Sequence, residues 1–389
     1  MELGLNEIIS LLIVFVSLLL ATFLFSTRSA NNKSNLLLAL FLIIGAQDAD
    51  TVIIRTFINP SHPALSVFIS MTVLFQVPLL YLYILSVIYS DFKLRWKYLV
   101  HAIPFIVINL MLIPRFYSAD LEGQMKFLGQ NIISTPPFEV LTSFIIFHIQ
   151  LLVYIIACFV TVNKYRKVLL ENFSNASLFH YKWLFQLIFI FAVESFLASL
   201  KNLFMFMEID LAYRYLMLLM SLLLLGYICW MVFRAMRTPE LFRGVDSKLQ
   251  PVSRMVKANS YPEAIKPGQT DLETDKKVAL LNSFMAESEP YLDPSLSIYN
   301  LSKQINIPPK DLSLLINHDL NQHFFDFVNG FRVRKAMEIL KDPDKKELTV
   351  LEILYEVGFN SKSSFNTAFK KLTRLTPTEY RRKYLLSAA

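Results

Sequence analysis

Two stretches decide how this chain is read: SIYNLSKQINIPPKDLSLLIN, residues 297–317, and TVLEILYEVGFNSKSSFNTAFKK, residues 349–371. In the first, Ser297 is placed to cap a short helix whose inward residues are Ile298, Leu301 and Ile305. Asn306 and Ile307 make the turn, and Pro308 and Pro309 open a second helix with Leu312, Leu315 and Ile316 facing inward. In the second, Thr349 caps a helix carrying Leu351, Leu354 and Val357, and Gly358 makes the turn. Asn360 or Ser361 caps a last helix that buries Phe365, Ala368 and Phe369 and ends in Lys370 and Lys371. Two short helices joined by a tight turn form a helix-turn-helix, and here the arrangement occurs twice.

Between the two units the pattern predicts one longer helix, about residues 324–341, stopped by Asp342-Pro343. A helix of that length measures about 27 Å, and successive major-groove faces of B-DNA lie about 34 Å apart. A rigid connector of this size suits two recognition helices lying in adjacent grooves of one duplex. Upstream, Val278, Leu281, Phe284 and Met285 form an apolar stripe at helical spacing, ended by Pro290.

Outside this region the composition changes. The chain has 389 residues, of which 54% are hydrophobic and 18% charged, with a mean hydropathy of +0.44. Soluble domains are about 25% charged, so a disordered chain, a disulfide scaffold and an ordinary soluble enzyme are excluded. Residues 1–237 carry 16 basic and 12 acidic side chains, 238–274 five of each, and 275–389 seventeen against fourteen. The expected organisation is a membrane part over 1–237, a connector over 238–274 broken by Pro239, Pro251, Pro262 and Pro267, and a mildly basic cytoplasmic domain over 275–389. The expected fold is all-α, a seven-helix transmembrane bundle followed by a helical domain with two helix-turn-helix units.

A spanning helix needs roughly 20 mostly apolar residues, and seven stretches qualify: about 8–26, 36–54, 65–89, 98–114, 138–162, 183–207 and 211–236. The flank MELGLNE lacks the basic residues of a secretory signal peptide. Alternate loops hold nine basic residues (Arg28, Lys33, Lys93, Arg95, Lys97, Lys164, Arg166, Lys167, Lys182) against four (Arg55, Arg115, Lys126, Arg214). That bias puts the N-terminus outside and everything after about 236 in the cytoplasm. Polar groups at membrane depth are functional suspects: Asp48, Asp50 and Lys201 in the outer half, and Gln76, His148 and Glu194 nearer the middle of their helices. They are candidates for a sensing site, or for ion pairs that hold the bundle together.

No catalytic or metal constellation emerges. The nine glycines form neither GxGxxG nor a P-loop, HExxH and GxSxG are missing, and His318 and His323 read as surface or capping residues. Cys158 and Cys229, the two cysteines, build no disulfide framework or zinc spacing. No enzyme activity, cofactor or metal is expected.

The run GFNSKSSFNTAFKKLTRLTPTEYRR, Gly358 to Arg382, closely resembles the C-terminal signature of the AraC/XylS transcriptional regulators. NLSKQINIPPKDLSLLINHDLNQHFFDFVNGFRVRKAMEIL, residues 300–340, looks like that family's first helix-turn-helix and linker helix. In the membrane half, VPLLYLYILS (Val77 to Ser86) and HAIPF (101–105) look like the seven-helix region of membrane-bound members. The resemblance implies DNA-facing positions at Lys310, Ser313, Leu314 and Asn317 in the first unit and Lys362, Ser363, Asn366 and Thr367 in the second, with Lys370 near phosphate. Two departures stand out: Arg374 occupies a position where the family usually has Gly, and Pro308 replaces the usual Ser or Thr cap.

The expected function is therefore a regulator embedded in the bacterial inner membrane, sensing through its bundle and binding promoter DNA with its cytoplasmic domain. Its expected partners are double-stranded DNA, the lipid bilayer, a small-molecule or membrane signal, a second copy of the chain, and RNA polymerase. The alternative is a seven-helix receptor or transporter whose tail, only +3 over 275–389, binds a protein instead of DNA.

Overall fold

The structure, a computed structural model, describes residues 4–26, 32–49, 61–89, 92–129, 137–174, 178–207, 209–237 and 270–385. Among the described residues the chain is helical, and an isolated antiparallel bridge pairs Phe173 with Ser297. It divides into two compact units, Met1–Val162 with Lys182–Ser247, and Asn163–Tyr181 with Lys248–Ala389.

The first unit contains α1 (Leu5–Ser26), α2 (Asn32–Ala49), α3 (Pro63–Ile88, with a 3-10 turn at Thr72–Phe75) and α4 (Trp96–Tyr117). The short α5 (Leu121–Leu128) follows, then α6 (Phe138–Asn172), α7 (Leu178–Phe206) and α8 (Asp210–Arg237). Asp120 starts α5 by accepting from the Gly123 amide at 2.9 Å, a helix the hydropathy pattern does not anticipate. Among the described residues six helices are long and apolar enough to cross a membrane. The exception is the second expected span, 36–54, where the apolar helix is the shorter Lys33–Ala46 and residues 50–60 lie outside the described residues. Ile9 and Ile13 of α1 pack on Ile228 of α8, while Leu74, Ile108, Leu112, Phe116 and Phe127 form a second cluster. Phe15, Leu152, Val153 and Leu211 stay exposed.

The second unit is built on α9 (Thr270–Ser288), which starts five residues before the expected boundary at 275. Then come α10 (Ile298–Ile305), α11 (Pro309–Leu314), α12 (Phe324–Lys341), α13 (Val350–Glu356), α14 (Lys362–Thr373) and α15 (Pro377–Leu385). The 18 residues of α12 serve two cores. Its first half gives Phe324, Phe327 and Val328 to a cluster with Leu281, Met285, Leu301, Leu312 and Ile316. Its second half gives Val333, Ala336, Ile339 and Leu340 to a cluster with Leu354, Val357, Phe365 and Phe369. Burying each of these large apolar side chains contributes about 1.5–3 kcal/mol, so each helix-turn-helix is anchored to one half of a single helix. The sequence reading assigns all of 1–237 to the membrane part, whereas Asn163–Tyr181 clusters with this second unit.

Candidate nucleic-acid interface

Local chemistry builds both helix-turn-helix units. Ser297 Oγ accepts from the Asn300 amide at 3.2 Å to start α10, and Asn306 ends it in the left-handed conformation with φ 56°. Asn tolerates that conformation because its short polar side chain bonds locally. Pro308 gives α11 no side-chain cap, but Pro309 sits at the first helical turn, where a missing N–H is harmless. In the second unit Thr349 and Glu352 form a capping box: Thr349 Oγ1 accepts from the Glu352 amide at 3.1 Å, and Glu352 Oε2 accepts from the Thr349 amide at 2.7 Å. The Thr349 amide and then the Thr349 hydroxyl, which donates to Glu352 Oε2 at 2.8 Å, hold the Glu352 carboxyl below its usual range. Gly358 makes the turn with φ 90°, and Ser361 caps α14 by accepting from Ser364 N at 3.2 Å.

The positions singled out by resemblance fall differently in the two units. On α14, Phe365 and Phe369 face the core, while Lys362, Ser363, Thr367 and Lys370 are exposed and Asn366 is half-buried. Thr367 Oγ1 donates to Ser363 O one turn back at 2.8 Å, which leaves its oxygen lone pairs facing outward as acceptors. The second unit thus presents one face of donors and acceptors opposite its core. On α11 and the π-helical turn Leu315–Asp319 that follows, Lys310 is exposed and Leu314 half-buried. Ser313 is only 3% exposed. Asn317 Nδ2 donates to Ser313 O at 2.9 Å and to Ser313 Oγ at 3.2 Å, and Asn317 Oδ1 accepts from the Phe324 amide at 3.2 Å. In this arrangement Ser313 and Asn317 spend their polar atoms inside the domain.

Arg332 of α12 is a residue that sequence reasoning missed. It is fully buried, and its guanidinium donates to Tyr291 O at 2.6 Å, Asp293 O at 2.7 Å and Asn329 Oδ1 at 3.1 Å. Burial pushes its pKa down to about 10, opposed by the charge of Asp293. The signal was present in the sequence: Phe324, Val328 and Arg332 are spaced four apart, so a charge lies on the apolar stripe of its helix. Lys371 bonds Asp326 at 2.7 Å and so ties α14 to the start of α12.

Of the six candidate sensing residues, Asp50 and the side chain of Asp48 lie outside the described residues. Gln76 opens the second half of α3 against Gly45, where a Cβ would sit 2.7 Å from its Nε2. His148 Nδ1 lies 2.8 Å from Phe144 O on its own helix, and Glu194 interacts electrostatically with Tyr227. Each of these contacts leads to a neighbour outside the candidate set; Lys201 is half-buried on α7. His101 and Tyr154 bond to each other and share an aromatic cluster with Tyr81 and Tyr98, a grouping that the charge-based reading does not reach.

Residues 301–383 match a family model described as a helix-turn-helix domain. The C-terminal unit carries a helix-turn-helix domain. The chain is 33% identical across 93 residues to the uncharacterized transcriptional regulatory protein YesN of Bacillus subtilis, covering 23% of this chain and 25% of that protein. It is 27% identical across 103 residues to the HTH-type transcriptional regulator GlxA of Rhizobium meliloti, covering 26% and 31%. It is 35% identical across 75 residues to an HTH-type regulator of Pseudoalteromonas carrageenovora, covering 19% and 40%. The chain therefore spans well under half the length of these relatives. A solved structure, the C-terminal domain of the response regulator AraT from Geobacillus stearothermophilus, is 28% identical, covers 27% of this chain and 84% of that one, and has a TM-score of 0.24. The helix-turn-helix match is confined to residues 301–383, and these relatives are named as regulators of transcription.

Proposed function

We propose that this chain is a sequence-specific transcriptional regulator embedded in the bacterial inner membrane. Its apolar helices, seven with the Lys33–Ala46 helix counted as a span, would sense a signal, and its helix-turn-helix domain would bind promoter DNA in the cytoplasm. The carrying observation is the solvent face of α14: Lys362, Ser363, Thr367 and Lys370 stand opposite Phe365 and Phe369 in the matched domain, in a chain that also has six helices apolar enough to cross a membrane. Lys and Asn suit donation to base edges, Ser363 suits donation to a base or the backbone, Thr367 suits accepting from a base, and the Leu314 side chain suits a thymine methyl. The topology with the N-terminus outside rests on loop charge, and the cytoplasmic placement of the domain it gives agrees with a DNA-binding role. The two arguments use different residues.

The test is selection from a random duplex pool by the purified full-length chain in detergent, beside a Lys362→Ala, Thr367→Ala double variant. A defined motif, lost or relaxed in the double variant, is the expected result. No enrichment at low salt by a folded chain would refute the DNA reading and favour a protein-binding tail.

A further inference from the structure

The helix α6 does not stop where a spanning segment needs to. It runs 35 residues without a break, from Phe138 to Asn172, and its last turns belong to the same compact unit as the helix-turn-helix domain. Val168, Leu169, Glu171, Asn172 and Ser174 are all buried. Phe173 pairs with Ser297 in an antiparallel bridge directly before α10. Ser174 donates to Leu296 O through both its amide, at 3.1 Å, and its hydroxyl, at 2.6 Å. Arg332 Nη1 donates to Ser174 O at 3.4 Å and Nη2 to Ser174 Oγ at 3.2 Å, and Asn329 Nδ2 donates to the same carbonyl at 3.3 Å. Asn317 Nδ2, at a position the family resemblance implies to be DNA-facing in the first unit, reaches Glu171 O at 3.5 Å.

We propose that the end of α6, residues 171–174, is an intramolecular partner of the helix-turn-helix domain: docked on Leu296, Asn329 and Arg332, it withholds the first reading unit from DNA, and its undocking is the step a signal controls. This rests on the DNA-binding reading above and adds the route by which the membrane half acts on it. The docked segment sets the carbonyl-rich, negative end of a helix and the backbone of Glu171 beside Asn317, an arrangement opposed to an approaching phosphate chain. The contact is built to open. Most of its bonds run from side-chain donors to backbone carbonyls, and water can replace each partner on undocking. Because α6 is one helix from the expected membrane core to Asn172, a shift of that helix along or about its axis carries residues 171–174 with it. The hub also reaches the second unit, since Arg332 lies over the Phe359 ring at 5.6 Å, next to the Gly358 turn.

The experiment uses the full-length chain in lipid vesicles, with Cys158 and Cys229 replaced by serine and Phe173→Cys with Ser297→Cys introduced to lock the bridge. Oxidation is expected to form the cross-link and to lower occupancy on the duplexes enriched by the reduced chain by about tenfold or more, a usual size for coupling between sites. Reduction restores binding, and each single-cysteine variant is insensitive to oxidant. A second variant, Ser174→Arg, sets two guanidinium groups against each other and is expected to raise occupancy without any oxidant. Failure to cross-link means the docked state is not populated in a membrane and overturns the proposal. Equal or tighter binding by the cross-linked chain overturns it too, and makes the basic run Lys164, Arg166, Lys167 part of the DNA platform. If the reduced chain enriches no duplex at low salt, the DNA-binding reading itself fails, a result distinct from both.

Discussion

The guanidinium of Arg332 bonds both the carbonyl oxygen of Ser174, at 3.4 Å, and its hydroxyl oxygen, at 3.2 Å, across 158 positions of chain. Its other bonds go to the carbonyls of Tyr291 and Asp293 and to Asn329, so a fully buried cation is satisfied mostly by neutral oxygens. Such an arrangement is costly to break from one side, because the carbonyls lose their donors and a cavity opens. Arg332→Ala is expected to destabilise the domain by about 3–5 kcal/mol. Thermal unfolding of the purified full-length chain would show a clearly lowered transition. Arg332→Lys should recover only part of the loss, since an ammonium has three donors and cannot reproduce the planar fork. An Arg332→Ala chain that melts with the parent would show that the Arg332 bonds do not hold the domain together.

Gly358 makes the second prediction. Its φ of 90° is one that side-chain-bearing residues rarely adopt, and a Cβ there would sit 2.5 Å from Tyr291 O and 2.7 Å from Leu292 O. Both are backbone atoms, and Tyr291 O already holds Arg332, so neither can move aside cheaply. Gly358→Ala is expected to cost about 2 kcal/mol or more, read as a lower unfolding transition together with loss of duplex enrichment. Normal stability in that variant would mean that the turn tolerates a different backbone path.

The caps Ser297 and Thr349 are legible in the sequence because a cap acts within three residues, with Ser361 one of two candidates beside Asn360, and the 18-residue connector is legible because its periodicity and the Asp342-Pro343 stop are local. Arg332 and Ser174 are not legible as a pair, because no local pattern links residues 158 apart. The same limit explains Ser313. The family resemblance implies a DNA-facing position there, whereas the structure buries Ser313, whose hydroxyl oxygen accepts from the Asn317 amide. Hydropathy finds long apolar helices well. It marks where α6 stops being apolar, near residue 162, and is silent on whether the helix continues into the next unit.

Arg374 gives a prediction of opposite sign. It ends α14 with φ 64° and ψ 2°, the left-handed conformation for which the family resemblance expects glycine. A side-chain-bearing residue pays roughly 1–2 kcal/mol for that conformation, and glycine does not. Arg374→Gly is therefore expected to stabilise the domain by about 1 kcal/mol, less whatever glycine loses to its greater freedom in the unfolded chain. A raised unfolding transition supports this. A lowered one would show that the Arg374 side chain makes a compensating contact.

Acid should weaken the helix-turn-helix domain through identifiable carboxylates. Glu289 accepts from Lys335 Nζ and Tyr291 OH, each at 2.8 Å, and the bonds from Lys335 and then Tyr291 hold it below its ordinary 4.5. Glu352 and Glu379 are lowered likewise by the backbone and hydroxyl groups of Thr349 and Thr376. Groups with a folded pKa below the unfolded one give stabilisation that is present above the unfolded value and is lost as pH falls through the folded value. The domain should therefore lose stability from about pH 4.5 downward, and Glu289→Gln should flatten part of that loss while lowering stability at neutral pH. An unchanged acid profile in Glu289→Gln would show that the Lys335 and Tyr291 bonds do not persist in solution.

Lys370 and Thr367 should separate affinity from specificity. Lys370 is exposed at the C-terminal end of α14, four residues from Asn366, where a phosphate contact releases one counterion. Lys370→Ala is then expected to weaken binding to selected and unselected duplexes alike and to make the slope of log affinity against log salt shallower by about one. Thr367 sits one turn earlier on the exposed face, with its hydroxyl proton held by Ser363 O and its lone pairs outward. Thr367→Ala should leave the salt slope unchanged and relax preference at a single base position, by about 1–3 kcal/mol of discrimination. Measuring both variants over a salt series on the enriched motif and on a scrambled duplex decides the matter. If Thr367→Ala changed the slope and Lys370→Ala changed the preference, α14 would enter the groove in another orientation, with its C-terminal end toward the bases.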